Sequence, residues 1–178
     1  PDTEMLALAQ KNGWSKTGET SPKVRADLAK HYGYEASYKY QATVADLKKA
    51  IADGVGKCFF NSGQTCTALT RMLVPRERLA EAEKIAKITA ESFTPGNPFE
   101  PTTRLGPLIS SVQRDRVRGF IQQGIDEGAT LLTGGVAAPE GLDKGYFVQP
   151  TVFSNVTRDM TIAREEIFGP VLSIMPYD

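Results

Sequence analysis

The chain has 178 residues, 21 basic and 21 acidic side chains, two Cys and one His. That length suits one ordinary domain able to bury a core without disulfides or metals, and zero net charge argues against a general nucleic-acid binder. A single histidine excludes multi-His metal sites and leaves little room for Ser-His-Asp chemistry, and two cysteines make neither a zinc knuckle nor a disulfide scaffold.

Three regions follow one another, without internal repeats or low-complexity stretches. In the first, Pro1 to about Ala42, Thr3 caps a short helix with Met5 and Leu8 on one face, ending near Gly13. Ser21-Pro22 then reads as an N-cap with proline at the first helical position, and Val24, Leu28 and Tyr32 follow at four-residue spacing up to Gly33. Tyr34, Tyr38 and Tyr40 form an aromatic tail, and the alternation of Tyr38 and Tyr40 suits a short half-buried strand. His31 fits the C-terminal end of the second helix, where a helix dipole favours a cation.

The second region runs from Thr43 to about Gly135. Thr43-Val44-Ala45-Asp46 resembles a capping-box start, and Leu47, Ile51, Val55 and Cys58 then form a helical stripe. A polar turn follows, Asn61-Ser62-Gly63-Gln64-Thr65-Cys66, and Thr70 to Val74 reads as a strand. Pro75 opens a helix with Leu79, Ala82, Ala86, Thr89 and Phe93 inward, broken by Pro95 to Pro98. Ser110 and Gln113 form a second capping box, ahead of Val117, Phe120, Ile121, Gly124 and Ile125 at amphipathic spacing. Ala129 to Thr133 is the next strand.

In the third region Tyr146 to Phe153 reads as a strand that Pro150 bends or confines to an edge. Thr157 to Glu166 reads as a turn and short helix, and Val171 to Met175 as a last apolar strand. Alternation of helices and strands predicts an α/β fold: a layered sheet with partly parallel strands and flanking helices. No apolar run approaches the ~20 residues that span a bilayer, and no signal-peptide pattern opens the chain at Pro1. A processed chain in a reducing, cytoplasmic setting is therefore expected, with both thiols free.

Two segments could carry chemistry. Cys66 follows a glycine-containing turn of small and polar residues, where exposed backbone N–H groups favour a thiolate able to attack a carbonyl. A small packed thiol is the other reading of the same residue. Cys58, on the helix stripe, reads as core. In Glu165-Glu166-Ile167-Phe168-Gly169-Pro170, a carboxylate could accept hydrogen bonds from ligand hydroxyls beside a ring that packs on the ligand. On residue chemistry alone, an acidic helix end followed by a turn into a strand is the favoured reading. Gly134-Gly135 is no phosphate cradle, because no Gly-x-Gly-x-x-Gly follows a predicted strand. Lys48-Lys49 and Arg114, Arg116 and Arg118 read as solvated helix faces, and nothing pairs His31 with Cys66.

Five blocks in order resemble the NAD(P)-dependent aldehyde dehydrogenase family, from near Asp46 to the end. They are Phe59-Phe60-Asn61-Ser62-Gly63-Gln64-Thr65-Cys66-Thr67-Ala68, Thr70-Arg71-Met72-Leu73-Val74, Leu105-Gly106-Pro107-Leu108-Ile109, Gly145-Tyr146-Phe147-Val148-Gln149-Pro150-Thr151-Val152, and Glu165-Glu166-Ile167-Phe168-Gly169-Pro170-Val171. The resemblance implies part of that family's catalytic domain over residues 43–178, preceded by a small helical segment of unknown origin over residues 1–42. It implies that Cys66 attacks an aldehyde carbon to give a thiohemiacetal. Hydride then passes to the nicotinamide of NAD or NADP, and water hydrolyses the resulting thioester to a carboxylic acid. The Cys66 N–H would serve the oxyanion, Glu166 the nicotinamide-ribose hydroxyls, and Phe168 would pack beside them.

The family's Glu-Leu-Gly-Gly segment with its catalytic glutamate, its dinucleotide domain and its oxyanion asparagine have no counterpart here. Weak or absent activity of this chain alone is expected, with a small aldehyde as partner and a homo-oligomer or self-association through exposed apolar surface. A non-catalytic scaffold or interaction module, using Trp14 and the nearby tyrosines, is the alternative. A cysteine hydrolase is disfavoured, since the sole histidine lies in the unmatched segment.

Overall fold

A computed structural model describes residues 47–178. The helices and cap expected before Leu47, with Trp14, His31 and the tyrosine tail, lie outside the described residues.

The stripe Leu47, Ile51, Val55 and Cys58 folds as helix α1, Leu47–Phe59, with Ile51, Val55, Cys58 and Phe59 buried. A 3-10 turn over Phe60–Gly63 leads towards strand β1, Arg71–Pro75. Pro75 closes this strand and does not open the next helix. A short 3-10 turn, Arg76–Arg78, intervenes before helix α2, Leu79–Glu91, which buries Ala82, Ala86 and Ala90. Helix α3, Ser111–Asp126, buries Val117, Ile121 and Gly124. Strand β2 is Thr130–Thr133 and strand β3 is Thr151–Ser154. The expected strand from Tyr146 is thus reduced to the residues beyond Pro150, since proline has no N–H for the ladder. Helix α4, Thr161–Arg164, and strand β4, Val171–Tyr177, complete the described chain.

The four strands form one sheet in the order β1-β4-β3-β2. β4 pairs parallel with β1 and with β3, and β2 pairs antiparallel with β3. The partly parallel layered sheet read from the sequence is the observed architecture. Pro150 does not confine β3 to an edge, because the proline lies just outside the ladder and β3 is internal.

Alternation along the strands divides the core in two. Val152, Leu172 and Ile174 face α1 and α2, packing with Val55, Phe59, Ala86 and Phe93. Phe153 and Val171 face the other way, towards Val117, Ile121, Ile162 and Ile167. The rings of Phe59 and Phe93 meet edge to face, centroids 5.4 Å apart. Among the described residues, no helix is long and apolar enough to cross a membrane, and no cluster of His, Cys, Asp and Glu could hold a metal ion.

Candidate functional site

The parallel pair β1 and β4 puts the segments that lead into both strands side by side. One is the Asn61–Thr70 loop and the other is Glu165–Pro170, so residues about a hundred positions apart become neighbours.

The loop after α1 turns through three successive left-handed residues, Asn61 at φ 51°, Ser62 at φ 55° and Gly63 at φ 72°. Each non-glycine residue held there costs about 1–2 kcal/mol, and such strain persists only where the surroundings enforce it. Asn61 Nδ2 donates to Gln64 O at 3.2 Å, and buried Ser62 Oγ donates to Gly106 O at 2.8 Å. Gln64 Oε1 accepts from Ile109 N at 3.0 Å. Two side chains therefore fasten the loop to the Leu105–Ile109 block. Gly63 lies so close to Gly169 that a Cβ there would fall 2.1 Å from the Gly169 carbonyl oxygen.

The opposite segment is also strained. Phe168 sits at φ 57°, in the left-handed region. Gly169 packs on Val117, where a Cβ would lie 2.6 Å from Val117 Cγ2. Sequence spacing placed Gln113 in a capping box with Ser110. Half of that box forms, with Ser110 Oγ accepting from Gln113 N at 3.2 Å. The Gln113 side chain does not reach back. Its Nε2 donates to Phe168 O at 2.8 Å and to Ile167 O at 3.3 Å.

The three arginines read as solvated also serve loops, because side-chain reach from α3 exceeds what helical spacing conveys. Arg116 donates to Glu166 O and Ile167 O, each at 2.8 Å. Arg118 donates to Phe147 O at 3.1 Å, and Arg114 to Gly145 O at 3.3 Å. Arg114 and Asp115 also pair at 2.8 Å, and this contact holds the Asp115 carboxyl below its ordinary range.

A cavity of about 240 Å³ opens between the two segments. Gly63, Thr65, Cys66 and Ala68 form one wall, Thr70 and Arg71 its floor at β1, and Glu166 and Phe168 the other wall. All three residues singled out in the sequence for chemistry thus meet at one cavity. Thr65, Thr70 and Arg71 stand in the blocks that carry the family resemblance, but no sequence pattern assigned them a place at the cavity. Glu166 is exposed and Phe168 half-buried.

The two thiols have opposite surroundings. Cys58 is fully buried, its Sγ donating to Val171 O at 3.5 Å. Burial pushes its thiol up to about 12, because a thiolate would be desolvated there. Cys66 is free and exposed in a tight turn, with Ala68 N donating to Thr65 O at 3.2 Å. Among the described residues, no backbone carbonyl accepts from the Cys66 N–H. A second cavity, between Phe93, Pro95, Thr133 and Pro150, contains none of these residues.

The model of the aldehyde dehydrogenase family matches residues 41–178. A 3-succinoylsemialdehyde-pyridine dehydrogenase from a Pseudomonas species is 50% identical over 99% of this chain and 37% of its own length. A putative aldehyde dehydrogenase from Staphylococcus saprophyticus is 43% identical over the whole chain and 38% of its own length. These alignments run through the first forty residues, for which the sequence reading found no family counterpart. The chain therefore spans under two fifths of the length of these curated relatives.

Among solved structures, an aldehyde dehydrogenase from Pseudomonas syringae, a cysteine-to-alanine variant with NAD+ and octanal, superposes with a TM-score of 0.74. It is 48% identical over 75% of this chain and 28% of that one. The Mycobacterium tuberculosis enzyme with NAD+ superposes with a TM-score of 0.72, at 50% identity over 75% of this chain and 27% of that one. With the family model matching most of its length and these relatives sharing its fold, the chain belongs to the aldehyde dehydrogenase family.

Proposed function

We propose that Cys66 is the nucleophile in the oxidation of an aldehyde to a carboxylic acid, with NAD or NADP as oxidant. The meeting of Cys66, Glu166 and Phe168 at one cavity supports this most. The sulfur of Cys66, as thiolate, adds to the carbonyl carbon and gives a thiohemiacetal. The carbonyl oxygen gains negative charge in that step, and the uncommitted Cys66 N–H is a donor suited to it. From the alkoxide form of the adduct, loss of one hydride, two electrons with one proton, leaves a thioester. Water then releases the acid and restores the thiol.

The residues on the cavity wall fit one end of the cofactor. The Glu166 carboxylate has acceptor oxygens for a pair of ribose hydroxyls, and Phe168 offers an apolar ring beside it. No glycine-rich phosphate cradle lies among the described residues, so these groups would hold only the nicotinamide-ribose end. Bound there, NAD(P) supplies the two-electron oxidant.

The chain has no counterpart of the family's glutamate base, so we propose weak or absent turnover for this chain alone. The named relatives act on a pyridine semialdehyde or hold octanal, which supports an aldehyde as the substrate class. The outer strand β1 leaves Leu73 67% exposed, which supports self-association. Two free thiols suit a reducing, cytoplasmic setting.

The test compares the chain with its Cys66→Ser variant. Aldehyde-dependent formation of reduced cofactor, or cofactor-independent ester cleavage, should be present in the first and lost in the second. If neither activity occurs and NAD(P)+ leaves Cys66 alkylation unchanged, the proposal fails and a non-catalytic module remains.

A further inference from the structure

The segment that carries Glu166 and Phe168 has no regular structure of its own between α4 and β4, yet its carbonyls are all engaged. Arg71 of β1 donates through Nε to Ala163 O and through Nη2 to Glu165 O, the latter at 3.1 Å. Arg116 of α3 takes the carbonyls of Glu166 and Ile167. Gln113, one turn earlier on the same helix, takes those of Ile167 and Phe168. From Glu165 to Phe168, every backbone carbonyl therefore accepts from one of three side chains that belong to other elements.

We propose that Gln113 and Arg116, with Arg71, are positioning residues that set Glu166 and Phe168 opposite Cys66. This rests on the cofactor-facing role proposed above for those two residues. The left-handed backbone of Phe168 needs outside enforcement, and Gln113 bonds the carbonyl of that very residue. The Arg116 guanidinium is steadied over the Phe120 ring, 4.8 Å from its centroid. Arg71 starts the strand directly after the Cys66 loop, so β1 carries one end of the clamp and part of the cavity floor together. Neither Gln113 nor Arg116 lines the cavity, so both act through the segment they hold.

The test uses Gln113→Glu, which keeps the shape but removes the donors, together with Arg116→Ala and Arg116→Lys. Two readouts are taken on the chain. The first is the rate of chymotryptic cleavage at Phe168–Gly169, measured without cofactor. The second is the NAD(P)+ concentration that half-protects Cys66 from iodoacetamide. In Gln113→Glu and Arg116→Ala, both should rise roughly tenfold to a hundredfold, the worth of one or two hydrogen bonds involving charged or strained groups. The alkylation rate without cofactor and the melting temperature should stay near wild type. Arg116→Lys, which keeps a cationic donor, should recover most of the protection.

Unchanged protection in both disabling variants overturns the proposal, even if cleavage accelerates, because the clamp would then be merely structural. Unchanged cleavage overturns it as well. Glu166→Gln separates the two readings. If NAD(P)+ gives no protection in wild type, or protects Glu166→Gln as well as wild type, the cofactor-facing role itself fails. If protection is present in wild type, weakened in Glu166→Gln and intact in the clamp variants, only the positioning role fails.

Discussion

Replacing Gly63 with alanine probes the contact on which the cavity depends. Gly63 has φ 72°, and a Cβ there would lie 2.1 Å from Gly169 O, 2.3 Å from Gly169 C and 2.8 Å from Pro170 N. All three are backbone atoms, so no side-chain rotation relieves the overlap. A left-handed L residue costs about 1–2 kcal/mol, and pushing packed backbones apart adds about 1–3 kcal/mol. The sum, about 2–5 kcal/mol, lowers the melting temperature by roughly 10 °C for a chain of this size. Gly119 supplies the control. It lies within α3, and a methyl group there would meet nothing within 4 Å, so Gly119→Ala should gain about 0.5–1 kcal/mol. Thermal unfolding followed by far-ultraviolet circular dichroism reads both variants. A Gly63→Ala protein that melts with wild type would refute the close packing of the two loops.

Cys58 predicts a pH effect of definite sign. Its folded pKa of about 12 exceeds the unfolded value of 9.0, so its contribution is intact below pH 9 and lost as pH rises towards 12. Urea unfolding should lose about 1.4 kcal/mol per pH unit in that window, and Cys58→Ala should remove that slope. Ser110→Ala removes the side-chain cap of α3 and should cost about 1 kcal/mol in the same assay. Glu127 accepts from Thr161 N and Thr161 Oγ, both at 2.6 Å, and these bonds hold its carboxyl below the ordinary range. Glu127→Gln should be less stable than wild type at neutral pH, and the two should converge as acid protonates the carboxylate. A constant gap between them down to strongly acidic pH would show that the charge is irrelevant.

Periodicity made most of the fold legible. The stripes of α1 and α3 and the short apolar runs of β1 and β4 depend only on which residues face the core. The order of the strands was not legible, because pairing β4 between β1 and β3 is a long-range choice that no local pattern encodes. Cys58 could be read as packed from its place on a stripe. Cys66 could be singled out from its glycine-containing turn, but its meeting with Glu166 and Phe168 depends on that strand order. Gln113 shows a different limit. Its spacing from Ser110 identified the cap, while the destination of its side chain was set by Phe168, fifty-five positions away. Arg116 is exposed, as its helix face suggested, but its bonds to Glu166 O and Ile167 O were hidden for the same reason, since a helical wheel records direction and not reach.

The strand order also governs when the cavity can exist during folding. β4 is the last of the four strands in sequence, yet it lies between β1 and β3, and Arg71 must find Ser173 to set the register. Pairings of such long separation form slowly and late. Until β4 docks, α1 can form and bury part of its stripe, but the Cys66 loop has no opposite wall. A nascent chain therefore presents its exposed thiol before it presents a site, and oxidation of Cys66 in that interval is a hazard of the topology itself.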